Sequence, residues 1–241
     1  MSYQLTPEHV VDIVAGGGWQ IARAMHDHDV IGAILKKQTA NIPSERQVRA
    51  YYNWLDLTQR YVDLGTVPML EGSSKILKAM KNDSVAKATG SFLYHESTEE
   101  KTKDGKSHGI WAEQGKNALG LESVFGEKYP DAIQEYVDFF VTNAKDHPYA
   151  AFGAKLVLEN LAIMTSAKFR AGLLESGIPN IEKSLTFIEA HGELDEEHTK
   201  EANHFIINKF KKNPQALHEI VMGKDATVKM YLPPDGLLNY I

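Results

Sequence analysis

The stretch FIEAHGELDEEHTKEANHF, Phe187 to Phe205, decides how this chain folds. His191, Asp195 and His198 stand in the pattern His-x-x-x-Asp-x-x-His, which on a helix places all three within about 60° of arc. Ile188 precedes them on that stripe, and Ala202 and Phe205 follow it. The face that points at a core is therefore the face that carries two imidazoles and a carboxylate. A buried carboxylate without a partner costs several kcal/mol, and a metal ion is a natural partner. The competing reading is an ordinary ion pair along a half-exposed face, because Glu193, Glu196 and Glu197 bring water close.

Working outward, the periodicity of the rest of the chain is helical, and no alternating strand pattern of any length occurs. Thr6-Pro7-Glu8 reads as a helix N-cap, and Ser44 with Gln47 as a capping box before a helix reaching Leu64. Gly72-Ser73-Ser74 reads as a helix stop and cap, with the next helix running from Lys75 to Glu96. Charged residues make Ser97 to Ser107 a solvated loop. Further helices are expected at Gly109 to Phe125, Pro130 to Ala144, Pro148 to Glu175, Asn180 to Lys212 and Gln215 to Met222, with an irregular tail from Thr227. The fold class is all-α, a compact multi-helix bundle in a single domain over residues 1–241. Long helices of such a bundle build sites from facing side chains.

Two further helices supply candidate ligands. Glu159 lies in the most apolar helix, beside Leu156, Leu158 and Ile163, and a glutamate there calls for a partner: an ion pair with Arg170 or with a lysine from another helix, or a metal. Glu96 and His95 end an earlier helix, and His108 resumes an apolar pattern with Ile110 and Trp111. Together Glu96, His108, Glu159, His191, Asp195 and His198 form an oxygen and nitrogen donor set. The chain has no cysteine, so thiolate sites, iron–sulfur clusters and cysteine nucleophiles are excluded. Donors of this kind suit iron or manganese, and bridging carboxylates suit two ions.

The composition is that of a globular protein, with 43% hydrophobic and 24% charged residues. A net charge of -6 disfavours non-specific binding to nucleic acid. Met1 to Val14 carries Glu8 and Asp12 and lacks the pattern of a secretory signal, so a cytoplasmic location is expected. The richest apolar stretch, Tyr149 to Ala167, is interrupted by Lys155 and Glu159, against a membrane span. Many bundles of this size pair as homodimers, and no stretch of this sequence marks an interface. The expected partner is a small-molecule substrate, with Tyr51, Tyr52, Trp54 and Tyr61 as candidate pocket walls, a role that plain core packing rivals.

From about Ser44 to Lys212 the chain resembles the haem-oxygenase-like superfamily, which includes TenA-type thiaminases, pyrroloquinoline-quinone synthase and the haem-oxygenase-like di-iron oxidases. The resemblance is closest to the di-iron oxidases. It rests on the late His191–Asp195–His198 motif, on Glu159 upstream and on an earlier glutamate and histidine, assigned to Glu96 and His108. The interval between those two is longer than the family's usual one, and Glu99 or Glu100 is the alternative carboxylate. The resemblance implies two iron ions, dioxygen as co-substrate and oxidation of a small organic molecule, with Glu159 bridging the ions. The alternative is a metal-free small-molecule-binding or pyrroloquinoline-quinone-synthase-like protein. A TenA-type thiaminase needs a cysteine, which is absent. A haem oxygenase needs an early histidine, for which His26 or His28 would have to serve.

Overall fold

A computed structural model describes residues 5–102, 105–126, 128 and 130–241, without the side chains of 192–195. Ten α-helices are present among the described residues: α1 Pro7–Asp27, α2 Asp29–Leu35, α3 Ser44–Tyr61, α4 Val67–Ala79, α5 Ser84–Glu99, α6 Gly109–Leu119, α7 Asp131–Val137, α8 Ala150–Glu175, α9 Thr186–Lys209 and α10 Pro214–Tyr231. There is no β-strand among them, and the all-α bundle is observed. Short polar side chains start the helices where the backbone N–H groups need acceptors. Thr6 accepts from His9 N, Asp83 from Ala86 N and Asn213 from Ala216 N.

The most apolar helix, α8, lies at the centre and packs against α1, α2, α9 and α10. It is buried on almost every side along its first half, as expected of a helix without a polar face. Two glycines let α8 and α10 come together. A Cβ at Gly153 would stand 1.9 Å from Ile220 O, and one at Gly223 would stand 1.9 Å from Ala150 O. The backbones touch where no side chain fits.

Several sequence readings change: α6 stops at Leu119 rather than Phe125, and α5 carries a buried Ser97 on to Glu99 where a solvated loop was expected. Gly72-Ser73-Ser74 does not end a helix: α4 runs through it, the chain turns at 80–83, and α5 begins at Ser84. The small residues serve packing instead, since Ser74 Oγ donates to Gly90 O at 2.6 Å and a Cβ at Gly90 would press on Ser74 O. Ser44 is the first residue of α3 and makes no cap, while Gln47 donates back to Ile42 O at 2.7 Å. Finally, α10 continues to Tyr231, and only the chain after it crosses the bundle, with Leu237 and Leu238 buried and Tyr240 O accepting from Asn53. No helix of the described residues is long and apolar enough to cross a membrane.

Candidate metal centre

The donors converge from α5, the start of α6, α8 and α9. The end of α5 places Glu96 and Glu100 one turn apart, so both carboxylates leave the same face. After it the chain doubles back: Lys101 pairs with Ser107, and His108 N donates to Glu100 O at 3.0 Å. This reversal brings the His108 ring beside Glu100, with Nδ1 3.2 Å from Oε2. Trp111, one turn into α6, stacks on that ring at 3.9 Å between centroids.

From α9, His191 faces the same space, its ring edge-on to His108. Its Nδ1 lies 2.8 Å from Phe187 O. A carbonyl can only accept, so Nδ1 carries the proton and Nε2 keeps its lone pair. Burial lowers the pKa of His191 and holds it neutral, outweighing the attraction of Glu100. That is the state a metal ligand requires, and a backbone carbonyl is a usual partner for the other nitrogen. Two turns on, His198 Nδ1 is 3.6 Å from Glu159 Oε1 and Nε2 is 3.7 Å from Glu99 Oε2. Asp195 lies between the two histidines on α9, and its side chain is outside the described residues.

Two groups of donors result. Glu100, His108 and His191 each present a ligand atom, all within 4.8 Å of one another, and so do Glu96, Glu159 and His198. The structure thus gathers Glu96, His108, Glu159, His191 and His198 and adds Glu100. His28 is elsewhere: its Nδ1 caps α2, accepting from Ile31 N at 3.3 Å.

Lys155, one turn before Glu159 on α8, lies among the carboxylates. Its Nζ is 2.6 Å from Glu96 Oε2, 2.8 Å from Glu159 Oε1 and 3.6 Å from Glu100 Oε1. The glutamate in the apolar helix therefore pairs with a lysine of its own helix, while Arg170 pairs with Glu189. The sequence signal was a lysine four residues before a glutamate in the most apolar helix. Burial works against the charge on Lys155, but Glu159, Glu100 and Glu96 together raise its pKa well above the usual lysine value. Burial also works against Glu100, yet His108, Lys155 and His191 lower its pKa. Glu159 goes the other way: burial, with the charge of Glu96, raises its pKa despite Lys155.

One ammonium thus faces two buried carboxylates, Glu96 and Glu159, and the partly buried Glu100. Among the described residues, Glu159 Oε2 has no hydrogen-bond partner, and Glu96 Oε2, Glu159 Oε1 and His108 Nδ1 have none in good alignment. Buried polar atoms are seldom left this way, and the shortfall is of positive charge. The donor set fits a divalent cation: hard carboxylate oxygens with imidazole nitrogens, as iron and manganese prefer.

On one side of the donors is a cavity of about 80 Å³ with mainly apolar walls, including Met25, Trp54, Leu161 and Phe169, that reaches Glu100, Lys155, Glu159 and His191. Tyr61 and Tyr231 also line it, joined by a 2.8 Å hydroxyl–hydroxyl hydrogen bond. Of the four aromatics expected as pocket walls, Trp54 and Tyr61 line the cavity. Tyr51 donates to Ser184 O instead, and Tyr52 lies off the cavity, where the Arg49 guanidinium faces its ring. A second depression, sharing Glu100 and His191 with the cavity, is bounded by Glu99, Glu100, His108, Trp111, His191 and His198.

A search of curated proteins finds no match. A family model described as iron-containing redox enzyme matches residues 83–232, from the cap of α5 to the residue after α10. That region holds every donor named above and more than half of the 241 residues. This chain belongs to the iron-containing redox enzyme family, within the haem-oxygenase-like superfamily that its late helix resembles.

Proposed function

We propose that the protein is an iron-dependent oxidase or oxygenase that acts with dioxygen on a small organic molecule. Two ions would be held by Glu96, Glu100, His108, Glu159, His191 and His198, with Asp195 added from the family pattern; manganese suits the same donors. The observation that carries this reading is the pair of donor groups at the end of an apolar cavity, with more buried carboxylates than cations to balance them. Bound iron would supply one-electron redox chemistry and open positions for dioxygen.

The chain's own residues have separable tasks. The Phe187 carbonyl fixes His191 so that Nε2 faces the donors. Glu159 stands on α8 within reach of His198 and Lys155. The cavity walls exclude water and orient a substrate with an apolar body, whose polar end, a carboxylate or an amine, would lie toward Glu100, Glu159 and His191. Lys155 is the specific observation favouring a metal-free binding protein, because its ammonium already satisfies part of the carboxylate cluster.

Anaerobic addition of ferrous iron followed by desalting and elemental analysis separates the readings. Retained iron is expected, with His191→Ala and Glu100→Gln each weakening it by roughly 10- to 100-fold or more. Iron uptake unchanged in both variants defeats the assignment. A melting temperature insensitive to iron but raised by an organic ligand supports the metal-free reading.

A further inference from the structure

Lys155 sits in the helix least suited to a charge, with its side chain 7% exposed. Its contacts with the two donor groups are unequal. It touches Glu96 and Glu159 at 2.6 and 2.8 Å, both members of the group with His198. From Glu100, in the group with His108 and His191, it is 3.6 Å away, and Glu100 has His108 at 3.2 Å as a nearer partner. An ammonium in contact with two carboxylates takes the place that a cation bound by them would need, and two positive charges a few ångströms apart in a dry site repel strongly.

We propose that Lys155 is an internal cation that orders metal loading. The first divalent ion enters the Glu100–His108–His191 group with the ammonium in place. A second ion enters the Glu96–Glu159–His198 group only when the ammonium is expelled. Lys155 already lines the cavity, and a flexible four-carbon stem lets its head withdraw there. In the ion-free chain the same ammonium keeps three neighbouring carboxylates from repelling one another. The inference rests on the metal-binding reading above and adds that its two positions are unequal.

Manganese is the probe, because the free ion is counted directly by electron paramagnetic resonance during titration of the full chain. The wild type is expected to bind one ion tightly and a second more weakly. Lys155→Met should tighten the second ion by roughly 10- to 100-fold, the scale of effects from residues beside metal ligands, and change the first much less. The ion-free variant should melt below the wild type, with the gap closing once two equivalents of manganese are present. Lys155→Arg keeps the charge and is the control should Lys155→Met fail to fold without metal: its second ion should remain weak. Two equal ions in the wild type, a second ion unchanged in Lys155→Met, or two equal ions in Lys155→Arg would each overturn the ordering and leave the metal reading standing. No manganese bound by the wild type at all would overturn both.

Discussion

Asp56 shows what a buried carboxylate looks like when its charge is fully matched. It is 1% exposed on α3, accepts from Lys116 Nζ at 2.5 Å and from Ser123, and has Arg60 at 3.5 Å. Burial alone would raise its pKa, but Lys116 and Ser123 lower it below the usual value. The folded state therefore binds this proton less readily than the unfolded chain, and the carboxylate stabilises the fold above its unfolded pKa of about 4. That contribution is lost as the pH falls below it. Asp56→Asn should cost about 3 kcal/mol, seen as a melting temperature lower by about 6–12 °C, with the difference from wild type shrinking on acidification. A variant as stable as wild type at neutral pH would contradict this. At the donor cluster, the contrast with Asp56 explains what the sequence could reveal. Glu159, His191 and His198 were legible because they are polar residues on apolar stripes. Glu100 was left, with Glu99, as an alternative to Glu96, because its place depends on the reversal that returns His108 to it, which periodicity cannot register.

Helix boundaries follow the same logic one level up. Thr6-Pro7 at the start of α1 and Pro214 at the start of α10 are local signals, and there the reading and the structure agree; Asp83 at the start of α5 was read through, inside one helix from Lys75 to Glu96. Gly72-Ser73-Ser74 misleads because a glycine and two serines signal a break in isolation and a close approach in a bundle; only the facing α5, with Gly90 against Ser74, decides between them. The crossing of α8 and α10 is the firmest such contact. Gly153→Ala would drive a methyl into the Ile220 carbonyl, with no flexible side chain to yield, so a loss of at least about 1–3 kcal/mol is expected. Thermal or urea unfolding measures it, and a neutral result would mean that α10 can shift. Because the same crossing anchors α8, the carriers of Glu159 and Lys155 should move with it, and metal affinity should fall along with stability.

Across the whole molecule, the part that the family model matches and the part that it does not have different tasks. Residues 83–232 hold every donor, while Met25, Trp54, Tyr61, Val62 and Thr66, all earlier in the chain, wall much of the cavity. The all-α bundle was legible from periodicity, since long amphipathic stretches with no alternating runs admit few alternatives. The cavity was not, because it is enclosed between side chains of α1, α3, α8 and α9, and no single stretch encodes a gap. Glu100 and His191 border both the cavity and the depression, so one pair of donors is reached from two hollows. An inert hydrocarbon-like ligand that fills the cavity should deny the Lys155 head its retreat and weaken the second manganese ion, whereas Trp111→Ala, at a wall of the depression and not of the cavity, should change the off-rate of manganese to an external chelator and spare that ligand's affinity.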